Sequence, residues 1–378
     1  MTEDATLVPI ELGERAYSVR IGHGEIGSVG REMAQLGLGR RALVVTNAAI
    51  ARRYAQPLLD SLDAAEIDAG VVELPAGERY KHLGTIERIF QAAMARRLDR
   101  HGTIIALGGG VVGDMAGFAA ACYYRGVSFV QVPTTLVAMV DSSVGGKTGV
   151  NFHGKNLIGA FWQPSLVSAD LNTLASLPAR ELRCGLAEVI KHGAILDLPM
   201  FERLESAFVL RPERGGLRLT AKVSLSPEIA RYSVEQSCRL KGQVVAADER
   251  ESGQRAWLNF GHTFGHALEA TAGYGKLHHG EAVSIGMVLA ARLGVMRGDL
   301  EAEVAQRIEA VCAAVGLPTR VPAGTDPEVV FAAMGRDKKA REGQMRLTLL
   351  TALGQATVAA DTPPDMVLSL LRQACVET

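Results

Sequence analysis

Neither sign of charge is in excess in this chain of 378 residues: 40 lysines and arginines face 41 aspartates and glutamates, a formal net charge of -1. Such a balance gives no overall attraction to nucleic acid or to an anionic membrane, so an anionic ligand must be held by a local cluster of cations. No basic stripe with interleaved aromatics occurs, which sets nucleic-acid modules aside. Cysteine is scarce. The five (Cys122, Cys184, Cys238, Cys312, Cys375) are scattered and never form a Cys-x-x-Cys pair, so a disulfide framework is not expected and a reducing cytoplasm is. Long apolar runs are lacking too, broken for instance by Arg125 and Pro133 before a bilayer could be spanned. The opening Met-Thr-Glu-Asp is acidic and shows no signal segment. The expectation is a soluble, cytoplasmic protein. With 48% hydrophobic and 21% charged residues the composition is globular, and the length suits two domains.

What is present begins with alternation. Ala42–Thr46, Val71–Leu74, Thr103–Leu107 and Ser128–Val132 read as strands, and amphipathic segments such as Ile86–Arg97 lie between them. Strand-helix alternation implies a parallel sheet covered on both faces. From about Leu182 the strand signals fade, and Leu182–Leu196, Ile229–Ala247, His262–Ala272 and Val283–Met296 read as helices. Met345–Leu350 is a late strand-like run. The expected fold is a Rossmann-like α/β domain over residues 1–176, followed by a mainly α-helical, metal-binding domain over 177–378.

Two segments match the glycine fingerprint of a dinucleotide site. Gly22-His23-Gly24-Glu25-Ile26-Gly27 follows a possible strand, Tyr17–Ile21, but the next strand ends in Thr46-Asn47 where an acid is needed. It reads as a turn. Gly108-Gly109-Gly110-Val111-Val112-Gly113 follows the stronger Thr103–Leu107 strand and opens directly into Asp114 and a helix, an arrangement that can face a pyrophosphate. A third segment, Gly145-Gly146-Lys147-Thr148, resembles a P-loop but has Asp141 where the first glycine belongs. Lys147 can still hold a phosphate as a point charge.

His262 and His266 stand four apart, which puts both imidazoles on one helix face, a spacing that suits a metal. His278-His279 follow after a glycine-bearing turn, and Glu188 and His192 repeat the four-residue spacing upstream. A single histidine is usually hydrogen-bonded or on the surface, but five of nine gathered in these clusters point to a divalent metal. Spacing alone leaves His262, His266, His278, His279, Glu188 and His192 all open as ligands.

The chain resembles the 3-dehydroquinate synthase family. The residues that carry the resemblance are Gly108–Val111 through Asp114, Gly117-Phe118, Arg125-Gly126, Pro133–Leu136, Val140–Ser143, Gly145–Thr148 and Gly154–Asn156. The later half adds Ala187–Lys191, Lys241, Asp248–Glu251, Arg255, Asn259–His266 and Asp337–Lys339. The resemblance implies NAD in the first domain and a zinc or cobalt ion in the second. It implies Glu188, His262 and His279 as metal ligands, with His266 acting on the substrate. Cofactor contacts would be Glu78, Lys81, Gly109, Gly110, Val111, Asp114, Thr134, Thr135, Asp141, Ser142, Lys147 and Lys155. Substrate contacts would be Lys147, Asn156, Lys191, Lys241, Arg255, Asn259 and Lys338, and Arg125 would come from the neighbouring subunit of a homodimer. Departures from the family pattern, such as Val137 and Ser176, touch no charge and no ligand.

The implied substrate, 3-deoxy-D-arabino-heptulosonate 7-phosphate, carries a carboxylate and a phosphate and so needs separate cationic pockets. The implied reaction belongs to the shikimate pathway of aromatic amino acid biosynthesis. An unpaired buried cation is costly, so Lys241 and Arg255 argue for an anionic partner. A cyclase acting on a carboxylate-free sugar phosphate, a metal-dependent polyol dehydrogenase and a catalytically inactive NAD-binding protein are the competing readings.

Overall fold

The structure is a computed structural model that describes residues 5–212, 215–273, 276–335 and 346–376. The chain divides into two compact units. The first takes Met1–Leu177 together with Arg231–Arg250, the second Pro178–Ala230 with Glu251–Thr378. The division at 176/177 read from the sequence is a single cut, whereas residues 231–250 also join the first unit.

The first unit contains β1 (Thr6–Ile10), β2 (Tyr17–Gly22), α1 (Val29–Gln35), β3 (Arg41–Thr46), α2 (Ala48–Ala64), β4 (Asp68–Glu73), α3 (Leu83–Ala95), β5 (Thr103–Gly108), α4 (Gly110–Cys122), β6 (Ser128–Pro133), β7 (Lys147–Val150), β8 (Ile158–Phe161) and β9 (Leu166–Asp170). Seven strands form one sheet in the order β1-β2-β9-β6-β5-β3-β4, and β7 pairs with β8 apart from it. Strand β1 runs antiparallel to β2, and every other neighbouring pair in the sheet is parallel. Successive side chains of β5 enter opposite cores, as the period of a strand requires. Ile104 packs with Ile86 and Ile89 of α3 and Met115 and Ala119 of α4, while Ile105 and Leu107 pack with Val29, Met33, Leu58 and Leu62 of α1 and α2. Burying each such Ile or Leu contributes roughly 1.5–3 kcal/mol.

Strand order decides where a ligand can sit. The chain runs outward from β3 to β4, then returns to place β5 on the other side of β3. The direction of winding therefore reverses between β3 and β5, and in open parallel sheets the crevice beyond the strand ends at that point is the binding place. The glycine segment follows β5 there.

The remaining elements are α5 (Ala179–Leu196), α6 (Leu198–Glu205), β10 (Leu217–Arg218), β11 (Ser224–Leu225), α7 (Pro227–Ala247), α8 (His262–Ala272), α9 (His279–Arg297), α10 (Ala302–Ala314), α11 (Pro327–Gly335), β12 (Leu347–Ala352), β13 (Gln355–Ala359) and α12 (Pro364–Val376). Helix α9 is buried on nearly every side, from Ala282 and Val283 through Leu293, as the central helix of the second unit must be. Two glycines set its neighbours. A Cβ at Gly286 would collide with the Gly261 carbonyl at the start of α8, and one at Gly280 with the Cys184 backbone of α5. Helix α7 begins in the second unit and ends in the first. In the first unit, Glu235 accepts from the Thr6 hydroxyl at 2.5 Å, Cys238 donates to the Met139 carbonyl at 3.3 Å, and a Cβ at Gly242 would lie 2.6 Å from Ile10.

A Rossmann-like parallel-sheet domain and a mainly helical one, read from the sequence, are what the chain forms. The late strand-like run forms β12, with residue 345 outside the described residues. All five cysteines are free thiols, and among the described residues no helix is long and apolar enough to cross a membrane.

Candidate active site

In the second unit, α5, α8 and α9 bring three donors together. One ligand atom each from Glu188, His262 and His279 lies within 4.8 Å of the others. Glu188 Oε1 is 3.5 Å from His262 Nε2 and 3.3 Å from His279 Nε2, while its Oε2 accepts from the Lys191 ammonium one turn on. Both Glu188 and Lys191 are buried. Burial works against the Glu188 charge, but Lys191, His262 and His279 outweigh it and hold the carboxyl well below its ordinary value. His262 Nδ1 lies 3.2 Å from the Phe260 carbonyl, which can only accept, so Nδ1 carries the proton and Nε2 turns a lone pair toward Glu188. Burial first, then Lys191, keeps that imidazole neutral. Burial also lowers His279, yet the carboxylates of Glu188 and Glu269 raise it to about 9.

An acceptor oxygen facing an acceptor nitrogen, inside a field negative enough to draw a proton onto His279, is the arrangement a cation satisfies. One carboxylate and two imidazoles are also a common donor set of catalytic zinc, with positions left open. The residues present fit a divalent metal.

Of the six donors left open by spacing, the remaining three fall outside this triad. His266 is half-buried, its ring 5.4 Å from His262 and 5.9 Å from His279, and it groups with Glu269 and His279 rather than with Glu188. His278 caps α9, with Glu281 accepting from its N–H at 2.9 Å and its Nδ1 3.0 Å from Glu181. His192 is buried on α5 with a ring nitrogen within 4.8 Å of a Glu188 oxygen, but it does not group with His262 or His279. Three side chains escaped the sequence reading. Arg180 grips Glu281 with two bonds of 2.6 and 2.7 Å, tying the start of α5 to the start of α9. Glu269 Oε2 is 3.5 Å from His279 Nδ1, and its place three residues after His266 was the signal available. Arg255 and Asn259 share the turn Gln254–Asn259; Arg255 is buried, and Asn259 donates to Glu251 at 2.8 Å.

In the first unit the glycine segment behaves as a bare cradle. A Cβ at Gly109 would lie 3.0 Å from Thr135 Cγ2, and one at Gly110 2.9 Å from Ser142 Oγ. Past these glycines the first turn of α4, with Val111, presents its N–H groups at a positive helix end. Lys81 donates to Asp114 and to Asn156 Oδ1, each at 2.5 Å. Burial raises the Asp114 carboxyl against the pull of Lys81. Thr134 N–H donates to the Gly108 carbonyl at 2.9 Å, and Thr135 Oγ1 accepts from Ala138 at 3.2 Å. Asp141 and Ser142 lie on the turn Ala138–Ser142, Lys147 opens β7, and Lys155 is exposed.

The other glycine segments do different work. The N–H groups of Gly24 and Ile26 are taken by the Asp170 carboxylate at 3.0 and 3.3 Å, so the first fingerprint is closed as a turn by the protein's own anion. Lys147 is followed by a strand, not the helix a P-loop requires. Lys241, expected as an unpaired cation, is instead paired within its own unit: it donates to the Asp141 carbonyl and carboxylate at 2.5 and 2.6 Å. Lys338 lies outside the described residues.

The profile of the 3-dehydroquinate synthase N-terminal domain matches residues 71–184, and that of the C-terminal domain residues 185–340. A curated 3-dehydroquinate synthase of Synechococcus sp. is 48% identical over 369 residues, covering 97% of this chain and 98% of its own. A solved 2-epi-5-epi-valiolone synthase from Streptomyces hygroscopicus, with NAD+ and Zn2+ bound, gives a TM-score of 0.85 at 29% identity, covering 96% of this chain and 97% of its own. A 2-deoxy-scyllo-inosose synthase complexed with carbaglucose-6-phosphate, NAD+ and Co2+ shares the fold, with a TM-score of 0.83 at 24% identity over 98% of this chain and 100% of its own. Profiles over both halves and near-full-length identity agree: the chain belongs to the 3-dehydroquinate synthase family.

Proposed function

We propose that this chain converts 3-deoxy-D-arabino-heptulosonate 7-phosphate into 3-dehydroquinate and phosphate, a carbon–oxygen lyase reaction of the shikimate pathway. The observation that carries this reading is the 48% identity to a 3-dehydroquinate synthase over 97% of the chain. NAD and a zinc or cobalt ion are its cofactors in this reading, supported by two solved proteins of this fold that hold NAD+ with Co2+ or with Zn2+.

NAD supplies an acceptor for hydride from one secondary alcohol and a donor that returns it, so net redox is zero. The metal, held by Glu188, His262 and His279, supplies Lewis-acid polarisation of substrate hydroxyls. The cofactor is held at the glycine cradle by Gly109, Gly110 and Val111, with Glu78, Lys81, Asp114, Thr134, Thr135, Asp141, Ser142 and Lys155 around it. Once the alcohol is a ketone, the neighbouring C–H is acidic and its proton can leave as phosphate departs. His266, near the metal group but outside it, is placed to hold a proton on the substrate. Lys147, Lys191, Lys241, Arg255 and Lys338 offset the carboxylate and phosphate charges, and Asn156 and Asn259 orient hydroxyls. Ring opening and an intramolecular aldol step then close the carbocycle, where positioning is the protein's main contribution.

The chain acts as a cytoplasmic homodimer in this reading, with Arg125 serving the partner's site. Five free thiols support a reducing compartment. Support for the dimer is the surface around Arg125, which is held at φ 66° beside Tyr124, 56% exposed, in a unit that also exposes Phe152, Leu157 and Phe161 by 43–48%.

The test is a paired assay with catalytic NAD and added zinc or cobalt, offering 3-deoxy-D-arabino-heptulosonate 7-phosphate in one arm and sedoheptulose 7-phosphate in the other. Phosphate released from the first alone, with no net NADH, is expected. Turnover of the second alone moves the chain to a carboxylate-free cyclase, and steady NADH accumulation to a dehydrogenase.

A further inference from the structure

Asn151 follows β7 directly and lies outside the residues assigned to metal, cofactor or substrate, yet three of its groups are engaged. Its N–H donates to the Lys81 carbonyl at 2.8 Å, its Nδ2 donates to Glu78 Oε1 at 2.9 Å, and its Oδ1 accepts from the Asn156 N–H at 2.8 Å. Asn156 Oδ1 in turn accepts from Lys81 Nζ at 2.5 Å, and the same ammonium reaches Asp114. The hydrogen bonds therefore close a ring through Glu78, Asn151, Asn156 and Lys81.

That ring joins two segments with different duties. The turn Glu78–Tyr80 and Lys81 face the cofactor in the proposed function, while the stretch after β7 carries Lys155 for the cofactor and Asn156 for the sugar phosphate. Asn156 sits at φ 53° and His153 at φ 50°, left-handed conformations that Asn and His adopt more readily than most side chains, and the bond to Asn151 Oδ1 fixes the Asn156 N–H in that turn. A primary amide donates to the carboxylate from its nitrogen and accepts from the backbone amide at its oxygen, two separate atoms spanning the two segments. Aspartate lacks the donor, and alanine lacks both groups.

We propose that Asn151 is a positioning residue that locks the Glu78–Lys81 turn to the Lys155–Asn156 loop, so that cofactor and sugar-phosphate contacts are set by one amide. This rests on the functional reading above. It is tested on zinc-loaded, full-length protein by calorimetric NAD titration without substrate, then by kcat and KM for 3-deoxy-D-arabino-heptulosonate 7-phosphate.

Asn151→Ala is expected to weaken NAD and to raise the sugar-phosphate KM, each by about tenfold, with zinc content unchanged. Asn151→Asp keeps the acceptor for Asn156 but sets a carboxylate against Glu78, so it weakens NAD more than it raises the KM. Pairing Asn151→Asp with Glu78→Gln reverses the polarity of that bond, and NAD affinity should return to that of Glu78→Gln alone. The paired variant also answers the question if Asn151→Ala does not fold. Constants for Asn151→Ala within about twofold of wild type, or a paired variant no better than its two changes added, overturn the proposal. Wild-type protein that binds no NAD overturns the functional reading and this proposal with it; wild type that binds NAD beside an indifferent Asn151→Ala overturns the proposal alone.

Discussion

Glu188 divides its two oxygens between a lysine and a pair of imidazoles, and each side makes its own prediction. His262→Ala removes a neutral nitrogen donor and should lower metal affinity by more than about a hundredfold, taking turnover with it. Metal content and activity measured together decide the matter, since activity at full occupancy would exclude His262 as a ligand. Lys191→Met leaves the buried Glu188 carboxylate without its ammonium, a change that costs about 3–5 kcal/mol when a buried pair is broken. A bound cation offsets part of that charge. The fall in melting temperature should therefore be larger in chelator than in zinc, and equal falls would show that no cation sits beside Glu188. At this scale spacing showed donor types but not their choice, which only the family resemblance supplied. His278 and His279 are adjacent and alike, and only the start of α9, which turns His278 into its cap, separates them. Lys241 was misread for a related reason: its partner Asp141 lies 100 positions away along the chain.

Elements were most legible where one period ruled. The strands β3, β5 and β6 were visible as β-branched runs, and α8 as histidines at helical spacing with Gly261 before them. Strand β9 was missed because LVSAD is short and fully buried, with no alternation to read, and α2 because Pro57 interrupts it, although Asn47 marks its start as a cap. Contacts between elements were not legible at all, and glycines carry several of them. Gly280 admits the Cys184 backbone, which seats the first turn of α9 against α5. Gly280→Ser should move His279 away from Glu188, destabilise the protein by about 1–3 kcal/mol and reduce bound metal. Normal zinc stoichiometry in a folded Gly280→Ser protein would show that the seat does not set the donor group.

On the scale of the whole molecule, Arg125 gives the clearest expectation. If it serves the partner's site, Arg125→Ala and His262→Ala chains are each inactive alone, but mixed dimers carry one intact site. Co-expressed in equal amounts they should recover about a quarter of wild-type sites, whereas no recovery would place Arg125 in its own chain's site. Helix α7 has a consequence of another kind. A gene fragment ending at residue 177 encodes every strand of the large sheet yet omits Arg231–Arg250. It strips Asp141 of its lysine and uncovers Ile10 where Gly242 packs, so such a fragment should show a weak near-ultraviolet circular dichroism signal and aggregate. For the same reason, two relatives spliced after β9 would pair the sheet of one parent with the α7 of the other. A chimera that exchanges whole units has to inherit residues 231–250 from the parent that gave the sheet, which means four alternating segments joined at three splice points, after 177, 230 and 250, rather than one.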